Sequence, residues 1–159
     1  MQEPVDNARA LIDTNKYMVL GTADASGTPW TTPVFFSPDG YFDFYWVSVP
    51  SARHSLNIAG RPEVSIAMFD SRCEIGTAEA VYMSATAAEV PAEEHERALG
   101  IFNAKLDEKR HFTLAMIREP DVFRLYRATA SEHSILIRGS HPLNGKGHDM
   151  RLTVDLGEG

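Results

Sequence analysis

The chain alternates short runs in which every second residue is apolar with three stretches of helical spacing. Near the start, Val5, Ala8, Leu11 and Ile12 fall on one face of a helix whose first turn tolerates Pro4. Residues 17–23 and 30–37 read as strands joined by a turn at Ala25-Ser26-Gly27. Pro38-Asp39-Gly40 has the composition of a hairpin turn, and the aromatic, β-branched run 41–49 reads as a third strand. Pro50-Ser51 predicts a short helix with Ser51 as N-cap, with Ala52, Leu56 and Ala59 on its buried face. Gly60 and Pro62 close it.

A fourth strand covers 64–69, with Val64, Ile66 and Met68 alternating, and a loop follows at 70–77. A long strand at 78–90 puts Val81, Met83, Ala85 and Ala87 on one side and Tyr82, Ser84 and Thr86 on the other. Residues 93–106 form a helix with a stripe of Ala98, Leu99, Phe102 and Leu106. A second short helix at 112–117 ends before Pro120. Two last strands are expected at 121–129 and 134–138. The domain is expected to span 1–138, followed by a polar, Gly-rich tail at 139–159 with a short strand at 152–154. Antiparallel strands, tight turns and few helices predict a mainly β (α+β) barrel of six to seven strands with flanking helices.

Composition narrows the function classes. A chain of 159 residues with 43% hydrophobic and 23% charged residues is expected to be one soluble domain. The formal net charge of −7 argues against general binding to nucleic acid or anionic membrane, which needs a basic face. No apolar run reaches membrane-spanning length and the start lacks a leader pattern, so a cytoplasmic protein is expected. Cys73 is the only cysteine, which fits a reducing compartment and reads as an ordinary thiol. The acidic residues are unevenly spread. From Phe44 to Pro62 there is no Asp or Glu among the chain's 22, while Arg53, His54 and Arg61 fall inside that window. An anion finds its most favourable local field there.

The candidate chemistry sits in the same window. In residues 42–54 an aromatic strand runs into a helix start carrying Ser51, Arg53 and His54. Free N–H groups at a helix start bind anions, and an arginine fork suits phosphate oxygens. Spacing alone favours a capped surface helix with two exposed basic residues over an anion site. Other patterns are weaker. Ser51 and His54 lack a Gly-x-Ser-x-Gly elbow, Gly145-Lys146-Gly147 lacks the following Ser or Thr of a P-loop, and the histidines lack metal-site spacing, so no metal is expected.

The order of elements and residues 41–70 resemble the pyridoxamine 5′-phosphate oxidase-like superfamily of FMN-binding split β-barrels. The matching residues are Phe44-Tyr45, Ser51-Ala52-Arg53-His54 and Gly60-Arg61-Pro62-Glu63-Val64, and the likeness extends over residues 5–138. The resemblance implies an antiparallel split barrel, FMN as cofactor, and a homodimer with the cofactor between subunits. It implies that Ser51 and Arg53, with His54 beside them, hold the phosphate. Thr31, Thr32, Pro33 and Val34 would face the ring edge or ribityl chain, Trp46 and Val47 would meet the cofactor, and Tyr82, Tyr126 and Arg138 would contribute from the partner or the last strand. Where pyridoxamine phosphate oxidases carry an Arg-Leu-His-Asp-Arg run, this chain has Ser134-Ile135-Leu136-Ile137-Arg138, and the usual Gln of the long strand falls near Val81. Pyridoxamine phosphate is therefore not the expected substrate. The expectation is an FMN-dependent oxidoreductase acting on another small molecule, with no catalytic side chain assigned. The alternatives are an F420-dependent reductase, against which four lysines and a net −7 argue, and a non-catalytic flavin or haem carrier or sensor.

Overall fold

Residues 2–157 are described by a computed structural model. In chain order the elements are α1 (Gln2–Thr14), β1 (Tyr17–Ala23), β2 (Pro29–Phe35), β3 (Ser37–Asp39), β4 (Asp43–Ser48), α2 (Arg53–Gly60), β5 (Glu63–Phe69), β6 (Ala80–Glu89), α3 (His95–Asn103), β7 (Arg124–Ile137) and β8 (Met150–Val154). The strands form one antiparallel sheet in the order β2-β1-β5-β6-β7-β4-β3, with β8 also paired to β7. The fold is the expected mainly β half-barrel with flanking helices. Among the described residues no helix is long and apolar enough to cross a membrane.

Strand alternation builds the core. Met18 and Leu20 of β1, Val64, Ile66 and Met68 of β5, and Val81, Met83, Ala85 and Ala87 of β6 point inward and pack with Ala8 and Ile12 of α1. In β4 three consecutive aromatics are buried: Phe44 and Trp46 enter this core, while Tyr45 joins a second cluster with Leu99 and Phe102 of α3. A strand covered on both faces reads as a continuous apolar run, which is why alternation fails there.

Four local expectations are corrected. The hairpin turn falls two residues later than Pro38-Asp39-Gly40: Ser37–Asp39 pairs with β4 in the register Asp39↔Asp43, leaving Gly40, at φ 60°, to open the turn. The two strands expected at 121–129 and 134–138 are one, β7. A bulge lets it continue, because Ser84 pairs Glu132 while Ala85 pairs Ala130, and the extra residue Ser131 donates its hydroxyl to Ser84 O at 3.1 Å. Helix α2 starts at Arg53 with Ala52, not Ser51, at the N-cap and no side-chain cap. Its buried face is Ser55, Asn57 and Ile58 rather than Ala52, Leu56 and Ala59, and Leu56 is 60% exposed. Asn57 is drawn inward because its Nδ2 donates to the buried Thr22 hydroxyl of β1 at 3.0 Å.

Residues beyond 138 continue the sheet. β8 runs beside the second half of β7, and the loop before it is pinned by Asn144, whose Nδ2 lies within hydrogen-bond reach of Ile137 O, Arg138 O and His148 O.

His133 of β7 is 3% exposed, and its Nε2 lies 2.6 Å from Tyr41 O. Burial pushes its pKa below the ordinary histidine value, with the Tyr41 carbonyl opposing. As pH falls below the unfolded-state value of about 6.5, the unfolded chain takes up a proton that the folded chain resists, so stability drops. The urea midpoint is expected to fall between about pH 7 and pH 5, and His133→Gln should flatten that slope. An unchanged slope in the variant would contradict a buried, neutral His133.

Candidate functional site

The sheet does not close. β2 and β3 are its two edges, which leaves the sheet split between β2 on one side and β3 and β4 on the other. A cleft of about 840 Å³ opens at this split. Pro33, Val34 and Phe35 of β2 form one side, and Val47 and Ser48 of β4, with His54 of α2, form the other. As an edge strand, β2 keeps backbone N–H and C=O groups unpaired on its outer side. The volume lies in the range of small-molecule and cofactor sites.

Helix α2 places its start at the cleft's rim. The first backbone N–H groups of a helix have no internal acceptor. Here no side chain caps them, and Ser51 and Arg53 are both exposed. His54 faces the cleft, and its Nε2 lies 2.9 Å from Ser48 Oγ, tying helix to strand. Burial pushes the His54 pKa down, which leaves the imidazole neutral at pH 7. Arg53, one residue earlier, lies over the Trp30 ring.

Charged side chains of both signs line the rest of the cleft. Lys16, Lys105 and Arg110 line it with Asp13 and Asp107. Lys105 Nζ donates to Asn15 O at 2.9 Å and sits 4.1 Å from the centre of the Phe36 ring. Its half-buried amine has a pKa pushed down by desolvation, with Asp13 opposing. Two of the chain's four lysines thus meet in one cleft of an acidic protein. Sequence reading missed this grouping, because Lys16 and Lys105 are far apart in the chain and neither belongs to a motif.

The expected site residues are distributed as follows. Pro33, Val34, Val47 and His54 line the cleft, with Ser51 and Arg53 next to His54 at the helix start. Thr32 lies between Trp30 and Val34 on the same face of β2, paired with Leu20. Trp46 and Tyr126 lie inside the core instead, stacked at 5.7 Å and 14° between planes, with 0% and 4% exposure. Burial raises the Tyr126 hydroxyl pKa. The Nε1 of Trp46 and the Ser55 hydroxyl are buried there without a hydrogen-bond partner. Thr31 and Tyr82 share a different groove on the outer sheet face, where Arg151 covers the Tyr82 ring at 3.7 Å. Arg138 lies at the far end of β7, donating to Thr77 O.

Comparison with known proteins follows this geometry. Residues 5–131 match the pyridoxamine 5′-phosphate oxidase family. No curated relative matches the chain. Among solved structures, a haem-binding protein from Mycobacterium smegmatis superposes with a TM-score of 0.70 at 16% identity, over 94% of this chain and 57% of that one. This chain therefore spans little more than half of that protein's length. A protein related to general stress protein 26, of the pyridoxinephosphate oxidase family, from Clostridium acetobutylicum gives 0.67 at 12% identity, over 98% and 97%. A FAD-binding protein from Mesorhizobium loti gives 0.64 at 16%, over 81% and 91%. At these identities the likeness establishes the fold.

The placement of Lys105 has a direct readout. After reductive methylation with 13C-formaldehyde, its NMR signal should titrate below the ordinary lysine range. A signal that titrates at the ordinary lysine value would contradict a half-buried amine.

Proposed function

This chain belongs to the pyridoxamine 5′-phosphate oxidase family, and on that premise we propose that it is an FMN-dependent oxidoreductase acting on a small molecule other than pyridoxamine phosphate. One observation carries the reading: the edge strand β2, the end of β4 and the uncapped start of α2 converge on one cleft. In this reading Ser51, Arg53 and the free N–H groups of α2 hold the phosphate. The exposed backbone of β2 at Thr32, Pro33 and Val34, with Val47 opposite, borders the ring. FMN, when bound, supplies two-electron transfer at its ring. The chain's own part is to bind, orient and set the local charge. His54 stays neutral and accepts from, or donates to, Ser48, while Lys16, Lys105 and Arg110 place positive charge across the cleft. The departures at Val81 and Ser134 are what remove pyridoxamine phosphate as substrate.

The working unit is proposed to be a homodimer with the cofactor near the subunit boundary. Tyr82, on the open outer face, is the residue of the Tyr82–Tyr126 pair that can reach a partner, since Tyr126 is internal.

A second reading is a non-catalytic haem carrier. It is favoured by the neutral imidazole of His54 in the cleft and by the haem-binding protein among the structures of this fold.

Titration with FMN separates these readings. The oxidoreductase reading expects flavin absorbance to co-purify or to be gained on adding FMN. Arg53→Ala should weaken FMN binding about tenfold or more, the size of a lost charge-assisted hydrogen bond. NADH or NADPH without oxygen should bleach the bound flavin. Protein that takes up haem with a Soret band lost in His54→Ala, and takes up no flavin, would replace the first reading by the second. On size exclusion the protein should elute near twice its 17.6 kDa chain mass.

A further inference from the structure

Arg53 opens α2, and its guanidinium carbon lies 4.4 Å from the centre of the Trp30 ring. Trp30 is 40% exposed and belongs to the face of β2 that also carries Thr32 and Val34. These three side chains span roughly 13 Å of strand, with Val34 in the cleft and Trp30 at the end nearest the start of α2. Among the described residues the Arg53 guanidinium forms no ion pair and donates no hydrogen bond, unlike Arg72, Arg97, Arg124 and Arg127, which are all paired to carboxylates. The carboxylate whose charge Arg53 influences, Asp24, is already committed. Its Oδ1 accepts from Ser26 N at 2.9 Å, Ser26 Oγ at 2.7 Å and Thr28 N at 3.0 Å.

We propose that Trp30 is a positioning residue for the anion end of the cofactor site. The indole holds the guanidinium by its face and leaves the N–H edge free for a phosphate monoester. This rests on the reading that FMN binds with its phosphate beside Ser51 and Arg53. The physical reason is entropy and orientation. A free arginine side chain loses much rotamer freedom when it grips a phosphate. Stacking on a ring fixed in a strand removes part of that freedom beforehand, without consuming a donor. Trp30 thereby acts through Arg53 and need not touch the flavin.

A double-mutant cycle tests this, with FMN and riboflavin as the two ligands and melting curves to confirm that each variant folds. Trp30→Leu should weaken FMN binding about twofold to fivefold, the size of an exposed cation–π contact, and leave riboflavin binding unchanged. In an Arg53→Ala background the same substitution should have no effect on FMN. Trp30→Phe should restore most of the parent affinity. Equal losses for FMN and riboflavin, or an FMN loss that persists without Arg53, would overturn the proposal by showing direct contact with the flavin. Unchanged FMN affinity in Trp30→Leu would overturn it alone, leaving the cofactor reading intact. A parent protein that binds neither flavin, or binds both equally, would overturn the phosphate reading and this proposal together.

Discussion

The length of β7 is the constraint on which the arrangement rests. Its 14 residues pair with β6 along one edge, and its other edge serves β4 first and β8 afterwards. The bulge at Ser131 keeps the ladder continuous where the strand must bend. Because β4 is held by the first half of β7, its free side reaches only the three-residue β3, and β2 is left as an edge. The sheet therefore curls without closing. The split, the cleft in it and the unpaired backbone of β2 all follow from that pairing.

Charge is organised around the same gap. The protein is acidic overall, yet the strand-to-helix passage from Phe44 to Pro62 carries no carboxylate. The fold then brings Lys16, Lys105 and Arg110 across from it, although they come from distant parts of the chain. Lys105 lies against aromatic rings, where desolvation weakens its hold on a proton, and His54 is kept neutral for the same reason. Net charge thus says little about this cleft, whose lining holds three cations beside two carboxylates, Asp13 and Asp107.

A split barrel of this type serves more than one cofactor, since haem-binding and FAD-binding proteins share the architecture at low identity. The fold supplies an open edge strand beside a helix start, and the chemistry depends on the side chains placed around them. In this chain Ser51, Arg53 and His54 sit at the helix start, Trp30 lies against Arg53, and Lys105 comes from the segment after α3.

Periodicity was enough to find β1, β5 and β6, because each is buried on one face and its apolar residues recur at every second position. The acid-free window and the Ser-x-Arg-His turn are local properties too, readable from the sequence, and the structure sets the turn at the start of α2. The face of α2 was not legible. Leu56 is the more apolar residue, but Asn57 is buried because Thr22 of β1 offers it a partner. The positions of Trp46 and Tyr126 were likewise set by packing, which stacks them inside the core. Short-range pattern determined the elements and the one polar turn, because those depend on neighbours in the chain. Which face is buried, where the sheet stays open and which cations meet there were decided only by pairings between residues far apart in sequence, and a linear pattern carries no record of those.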